Sequence, residues 1–231
     1  MPLKNRKLIV TGGPTREWLD PVRYISNASS GKMGVAIADE SFARGADTVF
    51  IHGPMQEAVL AGREYRCVSI ESTSDLLEAV KAELAPNAVL IMAAAPADYA
   101  PEEKSDKKIK KNSDELVIRL KKNPDILKNV AAIRKNNFSL STMFVVGFAA
   151  ETHNIEAYAL NKLEEKNLDL ICVNDVSRAG AGFNVDTNII TIFTRNRERL
   201  ELPLLSKQDA AGRILDCVEK GLEKLPQNYL E

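Results

Sequence analysis

The chain has 231 residues, a net charge of −1, 45% hydrophobic and 27% charged residues. That mix suits a globular protein with a sizeable core, and the near-neutral balance offers no basic face for nucleic acid. No apolar run reaches the roughly 18 residues of a membrane span, and the opening MPLKNRKLIV lacks the apolar centre of a signal peptide. Neither nucleic acid nor membrane is therefore expected as a partner, and the cytoplasm is the expected location.

Lys7–Thr11 is a continuous apolar run of the kind buried on both faces of a sheet. The segment 11–34, TGGPTREWLDPVRYISNASSGKMG, then connects it to a helix starting near Gly31. A strand-to-helix connection usually takes about 2–6 residues, and this one takes about 18. Its apolar anchors Trp18, Leu19, Val22, Tyr24 and Ile25 argue for an ordered, functional loop. A helix to about Arg44 buries Met33, Ala36, Ile37 and Phe42, with Gly45 as its terminal cap. Strands follow at Asp47–His52 and Tyr65–Ile70. Ser74 caps a helix to about Leu84, and Pro86 ends it.

Ala88–Ala94 is a strongly apolar strand, and the charged run to Glu115 follows it. Glu115–Leu120 alternates polar and apolar residues and reads as an exposed or edge strand. Asn123-Pro124-Asp125 opens a helix to about Arg134. Met143–Phe148 is a buried strand, Ile155–Lys166 a helix and Leu168–Asn174 the last core strand. Ile189–Thr194 and Leu200–Leu205 form a hairpin pattern, and a helix from Gln208 to Lys224, capped by Ser206, closes the chain. No repeat, linker or low-complexity stretch interrupts 1–231, so one domain is expected. Its class is α/β: a Rossmann-like, doubly wound, mostly parallel sheet with a C-terminal β-hairpin and helix. Ligands in such sheets bind beyond the carboxyl ends of the strands. The polar runs after strands one, four, six and seven should then share one side.

Ser29-Ser30-Gly31-Lys32-Met33-Gly34 lies at a helix start, where free N–H groups and the helix dipole favour an anion. It is not a Walker A loop, because Lys32 precedes Met33 and Ser26 occupies the first glycine position. Nor is it a dinucleotide fingerprint: the glycines split across the loop, and the second strand ends in His52-Gly53 without an acidic residue. Lys107-Lys108-Ile109-Lys110-Lys111, with Lys104 before it, is either a solvated run or a basic flap over the site. Asp98 binds a ligand group or caps a turn; Asn174-Asp175 offers the same choice, with capping favoured. Tyr158 and Lys162 echo the Y-x-x-x-K of short-chain dehydrogenases, but no matching glycine pattern stands after strand one. Cys67, Cys172 and Cys217 read as reduced, buried thiols, and His52 and His153 are too few for a His-based metal site.

Together these stretches resemble the phosphopantothenate–cysteine ligase family. The loop 11–34 matches its G-P-T-x-E-x-(I/L)-D-P-V-R-x-I-(S/T)-N-x-S-S-G-x-M-G pattern, and AAAPADY, the flap Lys108–Lys111, KNPDI, VGFAAET and LDLICVNDV follow in the family's order. The resemblance implies that CTP activates 4'-phosphopantothenate as an acyl-cytidylate, releasing pyrophosphate, before L-cysteine attacks. Mg2+ would bridge phosphate oxygens, and the protein would be a homodimer. By the same resemblance Asn27 holds the intermediate, Lys108 acts from the flap, and Arg23 binds substrate phosphate in its own or a neighbouring subunit. Gly12, Ser29, Ser30 and Gly31 contact nucleotide phosphates. Ala94, Ala95, Asp98, Asn123, Pro124, Asp125, Ile126, Phe148, Lys162 and Lys166 surround base and ribose. The acidic lead PEEKSDKK leaves the flap register open among Lys107, Lys108 and Lys110. The hairpin 189–205 and the segment 115–120 are candidate interface elements. A stand-alone form or an excised domain of a fusion fits the chain's extent. Two other readings stay open: an NAD(P)-dependent oxidoreductase resting on Tyr158 and Lys162, and a nucleotide-binding module without catalysis.

Overall fold

The computed structural model describes residues 2–110, 115–151, 154–175, 182 and 185–224. In chain order they form β1 (Lys7–Gly12), β2 (Arg16–Trp18), β3 (Tyr24–Ser26), α1 (Lys32–Ala43), β4 (Asp47–His52), β5 (Arg66–Ser69), α2 (Thr73–Glu83) and β6 (Val89–Met92). There follow β7 (Tyr99–Pro101), β8 (Leu120–Lys122), α3 (Ile126–Asn136), β9 (Phe144–Glu151), α4 (Ile155–Glu165) and β10 (Leu170–Asp175). The last are β11 (Thr187–Asn188), β12 (Ile190–Thr194), β13 (Arg199–Glu201), β14 (Leu205–Ser206) and α5 (Lys207–Glu223).

Eight of these strands make one sheet in the order β5-β4-β1-β6-β9-β10-β12-β13. The first six are parallel; β12 adds antiparallel to β10, and β13 adds antiparallel to β12. Numbered among themselves, the parallel strands run 3-2-1-4-5-6, the doubly wound order. The chain leaves β1 outward through β4 and β5, then returns to β6 on its other side. That reversal opens a crevice between the carboxyl ends of β1 and β6. Alternate residues of each apolar strand feed opposite layers. Leu8 and Val10 pack with α1 and α5 residues such as Ile37 and Ile214, while Ile9 packs with Leu76, Val130 and Leu163 of α2, α3 and α4.

The sequence readings need six adjustments. Phe42, expected on the buried face of α1, is 41% exposed at the helix end. The helix after β5 is capped by Ser72, whose Oγ accepts from Asp75 N while Asp75 accepts from Ser72 N; Ser74 lies inside the helix. Residues 115–119 form no strand, because nothing packs on their apolar side: Val117 is 85% exposed. Only Leu120–Lys122 pairs there, with β7. Within the expected second hairpin strand, Pro203 has no N–H for a ladder. The run divides into β13, which pairs with β12, and β14, which pairs with β11. The long loop after β1 contains the unexpected hairpin β2–β3. Cys67 is exposed on the edge strand β5, Cys172 is buried and Cys217 intermediate. Lys111, His153 and the Asp175 side chain, all weighed in the sequence, lie outside the described residues.

Candidate active site at the strand reversal

The loops after β1 and β6 are joined directly. Ala95 N donates to Gly13 O (2.9 Å), and Pro14 and Ala95 form a parallel bridge. Asn27 completes the join: its Nδ2 donates to Ala95 O (3.2 Å) and Pro96 O (2.9 Å). Both partners are carbonyls, which requires the amide nitrogen, not the oxygen, to face them. Beneath, Glu17 accepts from Thr73 N at the start of α2 (2.9 Å), and Ala97 N donates to Thr15 Oγ1 (2.9 Å). Glu17, Thr15 and Thr73 are all buried, and the carboxylate lies at the positive end of the helix dipole. This polar knot ties three site-forming loops to the sheet.

Helix α1 approaches β1 closely because both elements carry glycine at the crossing. A methyl group on Gly34 would lie 2.8 Å from Gly12 Cα and from Thr11 O. Gly31 caps α1 with φ 74°, a left-handed conformation that favours glycine. The free N–H groups of α1 thus open on the crevice, and its first turn carries no acidic residue.

Two adjoining hollows follow from this arrangement. One, about 340 Å³, is lined by Asn27, Ser29, Ser30 and Gly31 from the first loop, by Ala94, Ala95 and Asp98 after β6, and by Phe148 and Lys162. The other, about 220 Å³, adds Asn123, Pro124, Asp125, Ile126 and Lys166. They share Ala94, Pro96, Asp98 and Phe148. Asn123 is held by Nδ2 donating to Ala97 O (2.9 Å), and its N–H donates to Asp98 O (2.8 Å). Asp125 caps α3 through Lys128 N (3.1 Å) and pairs with Lys166 (3.1 Å). Burial raises its carboxyl pKa, but the Lys128 N–H and the Lys166 charge outweigh that, leaving it below the ordinary value. Fourteen of the seventeen residues implied by resemblance therefore line these hollows.

Three do not. Gly12 is packed under α1 and Phe50. Arg23 sits in the turn between β2 and β3, where buried Asp20 accepts from Val22 N, Arg23 N, Arg23 Nε and Nη2, and Ile109 N. Arg23 Nη2 also donates to Ile109 O (3.0 Å), and Ser105 N donates to Leu19 O (2.9 Å). The basic flap is thus pinned on this turn at both Ser105 and Ile109, with Lys107 and Lys108 exposed between the pins. The Arg23 guanidinium holds the Asp20 carboxyl far below the usual carboxylate range; backbone N–H groups add to this against burial.

The larger hollow also has a wall that sequence reasoning missed: Asn188 and Lys207, with Asn174 nearby. A signal for Lys207 existed. It follows the cap Ser206 directly, and a lysine in the first turn of a helix opposes the dipole. Lys207 is 7% exposed; burial, then the charge of Lys32, push its ammonium below the ordinary lysine range against the pull of Asp186. Tyr158 does not line either hollow, so the Y-x-x-x-K pair is not assembled in the crevice. Among the described residues no three His, Cys, Asp or Glu side chains cluster for a metal. Asp98 is the carboxylate that lines both hollows. A further hollow of about 370 Å³ lies at the opposite end of β9 and β10; its Arg195, Arg199 and Lys224 are paired with Asp169, Glu156 and Glu198. No described helix is long and apolar enough to cross a membrane.

A family model described as the DNA/pantothenate metabolism flavoprotein C-terminal domain matches residues 3–222. The chain is 42% identical over 220 residues to the coenzyme A biosynthesis bifunctional protein CoaBC of Vibrio cholerae, covering 94% of this chain and 53% of that protein. It thus spans about half the length of the curated relatives it matches. A crystal structure of the C-terminal domain of CoaBC superposes with a TM-score of 0.77 at 37% identity, covering 96% of this chain and 98% of that one. A mutant of Cab2 in complex with phosphopantothenate-cysteine shares the fold, with a TM-score of 0.74 at 15% identity over 95% of this chain and 88% of that one.

Proposed function

The chain belongs to the family of the DNA/pantothenate metabolism flavoprotein C-terminal domain, and on that premise we propose that it joins 4'-phosphopantothenate to L-cysteine with CTP. The observation that carries this reading is the convergence of fourteen ligase-type residues, from separate loops, on two hollows sharing four residues. The CoaBC relatives are named for coenzyme A biosynthesis, and the Cab2 complex holds a phosphopantothenate–cysteine conjugate within the same fold.

In the first half-reaction a carboxylate oxygen of phosphopantothenate attacks the α-phosphorus of CTP. The bond from that phosphorus to the bridging oxygen breaks, and its electron pair leaves with pyrophosphate. In the second, the neutral amine of cysteine attacks the acyl carbon. The C–N bond forms, the C–O bond to phosphate breaks, CMP leaves with that electron pair, and the amine proton passes to solvent. Ser29, Ser30 and the α1 N-terminus receive phosphate oxygens. Asn123–Ile126, Phe148, Lys162 and Lys166 enclose the nucleoside. Asn27 lines the larger hollow and bonds to Pro96, which both hollows share, so an acyl group there lies in the larger hollow; donating to its oxygen requires Nδ2 to exchange one carbonyl for the ligand. Lys108 and Arg23 reach the reactants by movement of the pinned flap and turn. Mg2+ arriving with the nucleotide supplies neutralisation of phosphate charge, and Asp98 is the side chain that would hold it. Residues 1–231 act as one catalytic unit, in a cytoplasmic homodimer.

The test is pyrophosphate release. Purified protein with Mg2+ should release it only when CTP and phosphopantothenate are both present. A folded protein that releases none refutes the ligase reading; CTP binding without turnover would identify a binding module instead.

A further inference from the structure

The ligase reading leaves the second substrate, L-cysteine, without assigned residues, and the unassigned wall of the larger hollow has the chemistry such a substrate needs. The short ladder between β11 and β14 builds it. Thr187 pairs with Ser206 and Asn188 with Leu205, and Lys207 opens α5 directly after β14, so Asn188 and Lys207 line the same hollow as the start of α1. Asn188 is 4% exposed, and its Oδ1 accepts no hydrogen bond among the described residues. Its Nδ2 donates to Met33 Sδ (3.2 Å), which fixes the amide plane against α1. A buried amide oxygen without a donor is costly unless a ligand provides one.

Beside it stands Lys207. Its backbone N–H donates to Asp186 O (2.9 Å), its Nζ donates to Val185 O, and its side chain lines the same hollow. A buried ammonium at a helix N-terminus, with Lys32 also lining the hollow, is poised for an anion. One acceptor and one cation on a single wall form the complement of an α-amino acid: the oxygen takes an N–H of the amine and the ammonium takes the carboxylate. A phosphate alone would leave the Asn188 oxygen facing another acceptor.

We propose that Asn188 and Lys207 form the subsite for L-cysteine, Asn188 Oδ1 accepting from its amino group and Lys207 receiving its carboxylate. The assignment rests on the ligase reading of the hollow. It places the amino acid on the wall beside the phosphate-binding start of α1, with Asn27 and the acyl group in the same hollow.

The experiment separates the half-reactions. Pyrophosphate release is first measured with CTP and phosphopantothenate alone, and amide formation is then followed against L-cysteine. Asn188→Leu and Lys207→Gln should each raise the KM for L-cysteine about tenfold or more, with the KM for CTP within about threefold of the parent. Lys207→Gln should also lose the preference for L-cysteine over cysteamine, which lacks the carboxylate, whereas Asn188→Leu should keep it. If pyrophosphate release is normal but the KM for L-cysteine does not move, the subsite is refuted and the ligase reading stands. If Lys207→Gln instead raises the KM for CTP and slows pyrophosphate release, Lys207 belongs to the triphosphate and the subsite is refuted. No pyrophosphate from the parent protein refutes both readings together.

Discussion

Changing Asn27 to Asp keeps the shape of the side chain and reverses its chemistry where the two central loops meet. The amide nitrogen lies 3.2 Å from Ala95 O and 2.9 Å from Pro96 O. Two neutral hydrogen bonds at about 0.5–1.5 kcal/mol each put the loss at about 1–3 kcal/mol. Because Asn27 is exposed, water recovers part of this in the free protein, so the folded state should lose about 1 kcal/mol and about 2–4 °C in Tm. Catalysis should suffer more. The carboxylate faces two carbonyl oxygens, drives the loops apart and adds a negative charge where phosphate charge gathers. At 1.36 kcal/mol per decade, about 1–3 kcal/mol slows pyrophosphate release roughly 5–150-fold. Asn27→Ala, which loses the bonds without adding charge, should lie near the lower end of that range. Rapid-quench measurement of pyrophosphate release, before any cysteine is added, reads this step directly. An Asp variant within twofold of the parent, or an Ala variant slower than the Asp variant, would overturn the assigned role.

Four further outcomes are expected. Lys108→Gln should slow pyrophosphate release about tenfold, as befits one removed charge–phosphate contact; a larger effect from Lys107→Gln would shift the flap register by one residue. Asp20→Asn should free the flap from its turn, and trypsin should cut after Lys107, Lys108 or Lys110 about tenfold faster; unchanged cleavage would show that the Ser105–Leu19 and Arg23–Ile109 bonds suffice to hold it. Gly34→Ala should cost about 1–3 kcal/mol through overpacking, since its methyl lies 2.8 Å from Gly12 Cα, and denaturant titration reads the loss. Asp125→Asn keeps a good helix cap but loses the Lys166 pair. The folded Asp125 carboxyl titrates below its unfolded value, so its contribution is present above about pH 4 and fades as pH falls through the folded value. The Tm gap between parent and variant, about 1–3 °C at pH 7, should therefore close in acid; a gap that persists at low pH would assign the loss to the cap.

Much of the architecture is carried by local pattern. The apolar runs of β1, β6, β9 and β10 are buried on both faces and were recognisable as such, and the length and composition of the 11–34 loop marked the crevice. The failures have local causes too. The hairpin β2–β3 was signalled by Asp20-Pro21, a turn pair between two short runs, but three-residue strands carry too little alternation to declare themselves. Segment 115–120 alternates like a strand, yet pairing needs a neighbour that only the folded chain supplies.

The sequence by itself determined the fold class and pointed to one side of the sheet for ligands, because strand burial, helix starts and glycine turns are encoded within a few residues; the residues expected around the crevice came chiefly from the family resemblance. Only the tertiary structure decided what those residues touch. It spent Asn27's donors on two loop carbonyls, pinned the flap on Asp20 and set Gly12 beneath α1. It also brought Asn188 and Lys207 to the hollow that Asn27 opens. Hydrogen-bond partners and close backbone approaches depend on the register between segments far apart in the chain, and no spacing within a segment specifies that register.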